Sequence, residues 1–499
     1  MAFAQPLVLG KEQPVISHRL ASELAQKAPG ETEKVWVYFR DKGFSSARQY
    51  EAKRKQVRSQ LPARTLHRRN KVKAPSDQVG FYDIPVFSDY TSAVIAIDGV
   101  VKRRTVNRWF NAISVEATLT AIREIAELPF VRSIEYVERG VRIMPNDSPD
   151  ELPPVSPLRP DSVGRNYGAS YDQLDLINVI AAHDSGYSGA GVLVLVLDTG
   201  FRTDHEAYPA DRIVAQYDFI NQDSVVQNES EDDSAQQDHG TATASVIGAA
   251  VEGSLYGPAY ECDYLLAKTE ILRQEIQVEE DYYAAGLQWG EQLGADIASS
   301  SLGYIEWYTQ DSLDGQTAVT TQPVNIATAN GVVVVTAAGN RGSSGIVAPA
   351  DAPMAIACGA VRNDSLIASF SSHGPTADGR IKPEVMAPGV SVACASHISN
   401  TEYTHKSGTS LSTPLVAGVA ALVIQAHPDW SPYTVRRALM LTADNSRRPN
   451  NQYGWGVIDA RAAINFTPYW VSGDVNQDGF IDIADIIQLL NGVHSDGGF

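Results

Sequence analysis

The runs VLVLVLD (192–198), YLLAKTE (264–270) and VVVVTAAGN (332–340) constrain this chain more than anything else in it. Each is short and apolar without alternation, and the segments between them carry helical patterning. A strand that is apolar at every position needs cover on both faces, and intervening helices supply it. From about residue 166 to 466 the pattern therefore predicts an α/β domain, a parallel sheet with helices on both faces. TATASVIGAAV (241–251) and YYAAGLQWGEQLG (282–294) read as helices, and DIASSSLG (296–303) as a further strand. LSTPLVAGVAALVIQAH (411–427) reads as an apolar helix beginning near Pro414. In open sheets of this kind, active residues gather at the carboxyl ends of the strands.

The 499 residues are enough for more than one domain. With 43% hydrophobic and 20% charged residues, the composition is that of an ordinary globular protein. The longest apolar runs, such as Gly331 to Ala338, are strand-sized, short of the ~18 to 20 residues that cross a bilayer. No membrane span is expected.

The front of the chain has a different rhythm. KVWVYF (34–39), Ala93–Ile97 and Phe130–Val137 read as strands. Residues 45–73 form a basic helical pattern broken by Pro62. Ser114–Leu128 reads as a helix with Ser114 as its N-cap and Leu119, Ile122, Ile125 and Ala126 on one face. Strand, helix, strand, helix, strand describes a small α+β domain over 5–142. Residues 143–165, MPNDSPDELPPVSPLRPDSVG and its flanks, are too rich in proline to pack and read as a linker. Ala2-Phe3-Ala4-Gln5 matches the small-x-small end of a secretory signal peptide, so residues 1–4 read as its remnant and the protein as secreted.

Charge divides along the same line. Residues 1–142 carry a net +9 and the rest −28, which makes the two parts mutually attractive. The basic residues sit in patterned globular sequence, which disfavours a nucleic-acid arm. The three cysteines, Cys262, Cys358 and Cys394, are too few for a disulfide scaffold. One disulfide stays open, and Cys358 reads as a small core residue.

Three segments carry chemistry. Asp198 ends the first apolar strand, His239 opens a helix in DHGTATASVIGAA, and Ser410 opens another in SGTSLSTPLVAGVAALV. Acyl transfer needs a nucleophilic Ser, a His to take its proton and a carboxylate to orient the imidazole. It also needs an oxyanion donor, and the Asn340 amide at a strand end is the natural one, with the Ser410 N–H as a second. The motifs DTG, HGT, AAGN and GTSxxTP, in that order, resemble the subtilisin-like serine peptidases over roughly 166–466. YGWGVIDARAAI (453–464) resembles that family's closing segment.

The resemblance implies a serine endopeptidase acting on polypeptides through an acyl-enzyme, with no organic cofactor. It makes Asp198 the orienting carboxylate, His239 the general base and acid, Ser410 the nucleophile and Asn340 the oxyanion donor. Ser301, Leu302 and Gly303 resemble the segment that pairs with the substrate backbone. Ala337, Ala338 and Gly339 resemble a wall of the primary specificity pocket. Leu411 and Ser412 stand where the family usually has Met-Ala. The front domain, through FNAISVEATLTAIREIAELPFVRSIEYV (110–137), resembles the ferredoxin-like propeptide-inhibitor domains of such precursors. Self-cleavage is then expected between 138 and 168. The competing reading is an inactive binding module of the same fold. An esterase would show a G-x-S-x-G elbow, where Ser410 sits in G-T-S-L-S.

The tail, 467–499, has a motif of its own. Asp474, Asn476, Asp478, Asp482 and Asp485 occupy loop positions one, three, five, nine and twelve, with Gly479 at the turn and the Phe480 carbonyl at seven. Hard oxygen ligands at that spacing suit structural Ca²⁺. The loop resembles one dockerin repeat, which implies calcium binding and a cohesin-type partner. The acidic stretches 229–233 and 279–281 are further calcium candidates on composition alone, and read more simply as solvated charge runs.

Overall fold

The computed structural model describes residues 15–26, 28, 30–137, 139–141, 164–272, 277–305 and 307–468. The segments read above as a signal-peptide remnant and a calcium loop, and nearly all of the one read as a linker, lie outside the described residues. The chain divides into two compact bodies, residues 1–60 with 79–138, and residues 61–78 with 139 to the end.

The first body is a four-stranded antiparallel sheet in the order β2 (Val100–Asn107), β3 (Ala112–Thr118), β1 (Thr32–Phe39), β4 (Val131–Tyr136). The helices of the front half run α1 (His18–Leu24), α2 (Ala47–Gln60), α3 (Ala63–Asn70), α4 (Ser88–Ile95) and α5 (Leu119–Ala126), of which α3 belongs to the second body. Alternation builds the core: Val35, Val37 and Phe39 meet Ile113 and Val115 on one side and Ile134 on the other, over Ile122 and Ile125 of α5.

Two expectations fail here. Ser114 is not a helix cap. Ile113, Val115 and Ala117 alternate onto the core face, so strand pairing claims 112–118, and the Ser114 hydroxyl accepts from the Thr105 N–H at 3.1 Å. The cap is Thr118, whose hydroxyl accepts from the Ala121 N–H at 3.3 Å. Ala93–Ile97 is not a strand either. It covers the end of α4, where Val94 is buried and Ile95 is 39% exposed. A five-residue apolar run fits either state, and helical rotation here turns only part of it inward.

In the second body, seven strands form one sheet with parallel neighbours. They are β6 (Leu193–Asp198), β7 (Ile213–Asp218), β8 (Asp263–Lys268), β10 (Ile297–Ser300), β11 (Val333–Ala337), β12 (Ile356–Val361) and β13 (Val385–Pro388). A separate two-stranded ribbon joins β5 (Arg139–Val141) to β9 (Gln277–Glu279). The sheet order is β13-β12-β11-β10-β6-β8-β7. The winding therefore reverses beside β6, with β7 and β8 on one side and β10 to β13 on the other. Crevices form at the carboxyl ends of strands at such a switch point.

Both faces are covered, as the unbroken apolar runs require. Val194 and Val196 share a core with α6 (Asp238–Gly248) and α9 (Thr409–Ala426). Leu195 and Leu197 point the other way, to Gly290 and Gly286 of α7 (Glu280–Leu293), which packs on α8 (Thr321–Ala329). By length and composition α9 would pass for a membrane span, contrary to the expectation from apolar runs. It is 89% buried inside the protein and serves as the central core helix. It also begins at Thr409, well before Pro414. The three cysteines are free and buried, with no disulfide among them.

Candidate active site

Asp198 is the last residue of β6 and fully buried. A carboxylate there needs its oxygens satisfied. Oδ1 accepts from the Thr199 N–H at 2.8 Å and lies 2.7 Å from His239 Nδ1, while Oδ2 accepts from the Thr243 hydroxyl at 2.9 Å. Because a carboxylate only accepts, Nδ1 carries the imidazole proton and Nε2 is the basic nitrogen. Thr243 is one helical turn after His239, so both reach the same carboxylate from one face of α6. Gly240 lets the helix come this near. A Cβ there would stand 2.2 Å from the Gly200 carbonyl and 3.0 Å from Asp198 Cβ.

Ser410 is the second residue of α9, and Pro414 explains how it is held. An α-helix would bond the Ser410 carbonyl to the N–H of residue 414, which proline lacks. The Ser301 hydroxyl donates to that carbonyl instead, at 2.8 Å. In return the Ser410 hydroxyl donates to the Ser301 carbonyl at 3.3 Å. Ser301 follows directly on β10, so the carboxyl ends of β6 and β10 carry the carboxylate and the serine's brace on either side of the switch point.

Asn340 lies just past β11. Its carboxamide oxygen accepts from both the Thr409 N–H and the Thr409 hydroxyl, each at 2.9 Å. With the oxygen end fixed, the NH₂ end is the one presented onward as a donor. Gly339 makes the turn before it at φ +114°, where a Cβ would also stand 2.8 Å from Ser372 Oγ.

The departures from the family pattern are absorbed by packing. Leu411 is fully buried, and the Ser412 hydroxyl reaches the carbonyls of Ala387 and Pro388 at 3.1 and 3.2 Å. Beside His239, Asp238 holds Lys406 at 2.8 Å and His397 at 2.6 Å. Burial works to raise the Asp238 carboxyl, but Lys406 and His397 outweigh it and hold it below the usual carboxylate range.

Ser301, Leu302 and Gly303 continue from the end of β10, and Ala337, Ala338 and Gly339 from the end of β11, two neighbouring strands. Farther along these two segments a cavity of about 260 Å³ opens between Ile305, Tyr308 and Gln310 on one and Arg341 and Ser344 on the other. The ribbon pairs β5 antiparallel to β9, Val141 opposite Gln277 and Arg139 opposite Glu279. Sequence reasoning missed Thr243, Thr409 and β9. The first sits at i+4 from His239, a signal that was available; β9 has no apolar pattern to mark it.

Two acidic stretches behave differently from each other. Glu280 and Asp281 are not solvated: both are fully buried, and Tyr308 donates to Glu280 at 2.6 Å. Glu229 lies with Asp218 and Asp223 in a group whose carboxylate oxygens are within 4.8 Å of one another. A cation would fit that spacing, but Lys268 already sits 2.8 Å from Asp218 and 2.7 Å from Asp232, and Asp218 Oδ1 accepts from the N–H groups of Ile220 and Asn221. The lysine ammonium occupies the role a metal would take, so this donor set fits an ion poorly.

An oriented Asp–His pair, a serine at a helix start and a fixed carboxamide, all at one edge of a parallel sheet, are the groups of serine hydrolases. The comparisons narrow that class. Residues 189–456 match the subtilase family of peptidases S8, and 34–151 match the peptidase S8 propeptide domain of Bacteroidota. Subtilisin BL of Lederbergia lenta is 35% identical over 283 residues, which is 57% of this chain and 94% of the relative. The alkaline protease of Alkalihalobacillus alcalophilus is 31% identical over 386 residues, 77% of this chain and 90% of the relative. Among solved structures, fervidolysin of Fervidobacterium pennivorans, a keratinolytic enzyme related to subtilisin, superposes with a TM-score of 0.60 at 22% identity. That match covers 90% of this chain, which spans 63% of the fervidolysin chain. The chain belongs to the subtilase family. It is a serine endopeptidase made as a precursor with a propeptide domain, and nothing in the comparisons favours an inactive module.

Proposed function

We propose that Ser410 is the nucleophile of peptide-bond hydrolysis, with His239 as its general base and acid, Asp198 as the orienting carboxylate and Asn340 as oxyanion donor. The observation that carries this reading is the 2.7 Å contact between His239 Nδ1 and Asp198, which reserves Nε2 for proton transfer. The Ser410 hydroxyl proton passes to Nε2 as the oxygen attacks the carbonyl carbon, and the same proton goes to the leaving amine. The developing oxyanion is met by the Asn340 NH₂ and the Ser410 N–H at the start of α9.

Substrate adds as an extended strand. In this reading Ser301–Gly303 and β9 are the edges it pairs with, and Ala337–Gly339 wall the pocket for the side chain before the cut bond. The pairing of β5 with β9 supports a further step. Residues 139–141 occupy the place of a substrate strand, so the chain cuts itself a few residues past Val141, within the 138–168 window. The first body is then the propeptide, 166–466 is the mature catalytic domain, and the enzyme is secreted. The tail loop Asp474–Asp485 binds one structural Ca²⁺ through its side chains and the Phe480 carbonyl. Its dockerin resemblance makes a cohesin-type module the partner to try.

The test is expression of the chain beside its Ser410→Ala variant in calcium, with mass spectrometry of the products and a casein assay. Cleavage of the native chain alone, between 138 and 168, with casein activity, is expected. A native chain that stays whole and inactive overturns the reading.

A further inference from the structure

Residues 61–78 are embedded in the second body, while the chain on either side of them belongs to the first. Their helix, α3, is basic, with Arg64, Arg68 and Arg69 at i, i+4 and i+5. Such a pattern ordinarily faces water. Here Arg68 and Arg69 are fully buried, as is Glu291 near the end of α7. Arg69 takes the Glu291 carboxylate with two N–H groups, each at 2.9 Å, and Arg68 pairs with it as well. Arg68 also donates to the carbonyls of Glu291 and Ala295 at 3.0 and 2.7 Å, and of Asn330 at 3.1 Å. The Thr65 hydroxyl donates to the Gln292 carbonyl at 2.9 Å. Arg64 donates to the carbonyls of Gly294 and Gly191 at 3.1 and 2.7 Å and pairs with Asp296.

These partners have a common origin. The last carbonyls of a helix lack intrahelical donors and carry the negative end of its dipole. Glu291 adds a full charge there. The end of α7 is thus a ready receptor for guanidinium groups, whose fork of donors matches a carboxylate in two bonds. Its place in the fold matters equally. Gly191, Asp296 and Asn330 precede β6, β10 and β11, at the amino edge of the sheet. Asp198 ends β6, and Ser301 and Asn340 follow β10 and β11, all at the carboxyl edge. Strands of about five residues separate the two edges by roughly 15 to 20 Å.

We propose that the end of α7 is a receptor for a basic helix, remote from the catalytic groove, and that α3 is a retention element seated in it. After the chain is cut past Val141, the first body stays bound through α3 as a non-covalent inhibitor. Release then requires a second event that cuts or displaces 61–78. This rests on the first body being the propeptide. Buried, hydrogen-bonded ion pairs resist screening by salt and are costly to break on one side, which suits a latch.

The test keeps self-processing out of the question. A recognition site for a site-specific protease is placed within 143–165 of the full chain carrying Ser410→Ala, and the chain is cut once there. Size exclusion in calcium then separates bound from released front fragment. With native α3 the two fragments co-elute. With Arg68→Gln and Arg69→Gln together, the co-eluting fraction falls at least about tenfold. Lys73, just past α3, donates to the Asn330 side-chain carbonyl at the rim of the contact. If the Arg68 and Arg69 pair prevents folding, Arg64→Ala with Lys73→Ala, which trims that rim, gives partial release. Equal co-elution of the native and substituted fragments overturns the proposal. So does immediate release of the native fragment. Failure of the uncut native chain to process itself, seen in the preceding experiment, bears only on self-cleavage.

Discussion

Ser301 and Ser410, 109 residues apart, exchange two hydrogen bonds in which each hydroxyl donates to the other's carbonyl. The proline at 414 makes the exchange necessary, because it removes the helical donor that the Ser410 carbonyl would otherwise have. Ser301 therefore sets the position of Ser410, the proposed nucleophile.

Replacing Ser301 by Ala leaves the buried Ser410 carbonyl without its donor. A loss of about 1 to 3 kcal/mol in stability is expected. It should appear in urea unfolding of the Ser410→Ala background, where self-digestion cannot interfere. In the active enzyme kcat should fall more than KM rises, since Ser410, the proposed nucleophile, is displaced. Unchanged stability and kcat would show that the exchange is incidental.

Asn340→Ala removes the proposed side-chain oxyanion donor. A fall of roughly 10²- to 10³-fold in kcat with little change in KM is expected, the size of effect measured for the corresponding donor in subtilisin. Thr409→Val keeps the backbone N–H that holds Asn340 Oδ1 but removes the hydroxyl, so its loss should be smaller. A KM effect of the same size in Asn340→Ala would point to ground-state binding instead.

Asp238 gives a pH dependence with a definite sign. Its folded pKa lies below the unfolded value of about 4, so its pairing stabilises the fold above that pH and is lost as pH falls through the folded pKa. Lys406→Met removes most of the pairing. The stability gap between the parent and this variant, in the Ser410→Ala background, should be open at pH 7 and close below about pH 4. A gap that stays constant down to pH 3 would refute the assignment.

Burial pushes the Cys262 thiol up to about 12 and Cys358 well above its ordinary value. A buried, protonated thiol does not attack disulfide reagents. None of the three cysteines should react with Ellman's reagent at pH 8 in the folded chain, all three should react after unfolding in guanidinium, and casein hydrolysis should survive the reagent. Rapid modification of the folded protein would contradict the burial.

Much of the fold was legible because its signals are local. Short runs dense in Val and Leu, set between helical segments, read as strands covered on both faces, and they located β6, β8 and β11. Strand and helix were harder to separate in the front half. Ser114 has the chemistry of a cap, yet alternation of Ile113, Val115 and Ala117 put it in a strand. Ala93–Ile97 is too short to show a period, and packing on one side decided it.

Asp198, His239, Asn340 and Ser410 were legible for a related reason. Each sits where a strand ends or a helix starts, and such ends are written in a few consecutive residues. What the sequence determined by itself was therefore the central strands of the sheet, the helices α6, α7 and α9 that cover it, and the types of group at its carboxyl edge. Tertiary structure decided which groups support them. Thr409 reaches Asn340 across 69 residues, and Arg69 reaches Glu291 across 222. The same basic pattern in α3 would serve equally on a solvated face. A charge is buried only where its partner is brought to it, and that partner lies on another element, beyond anything the local sequence can express.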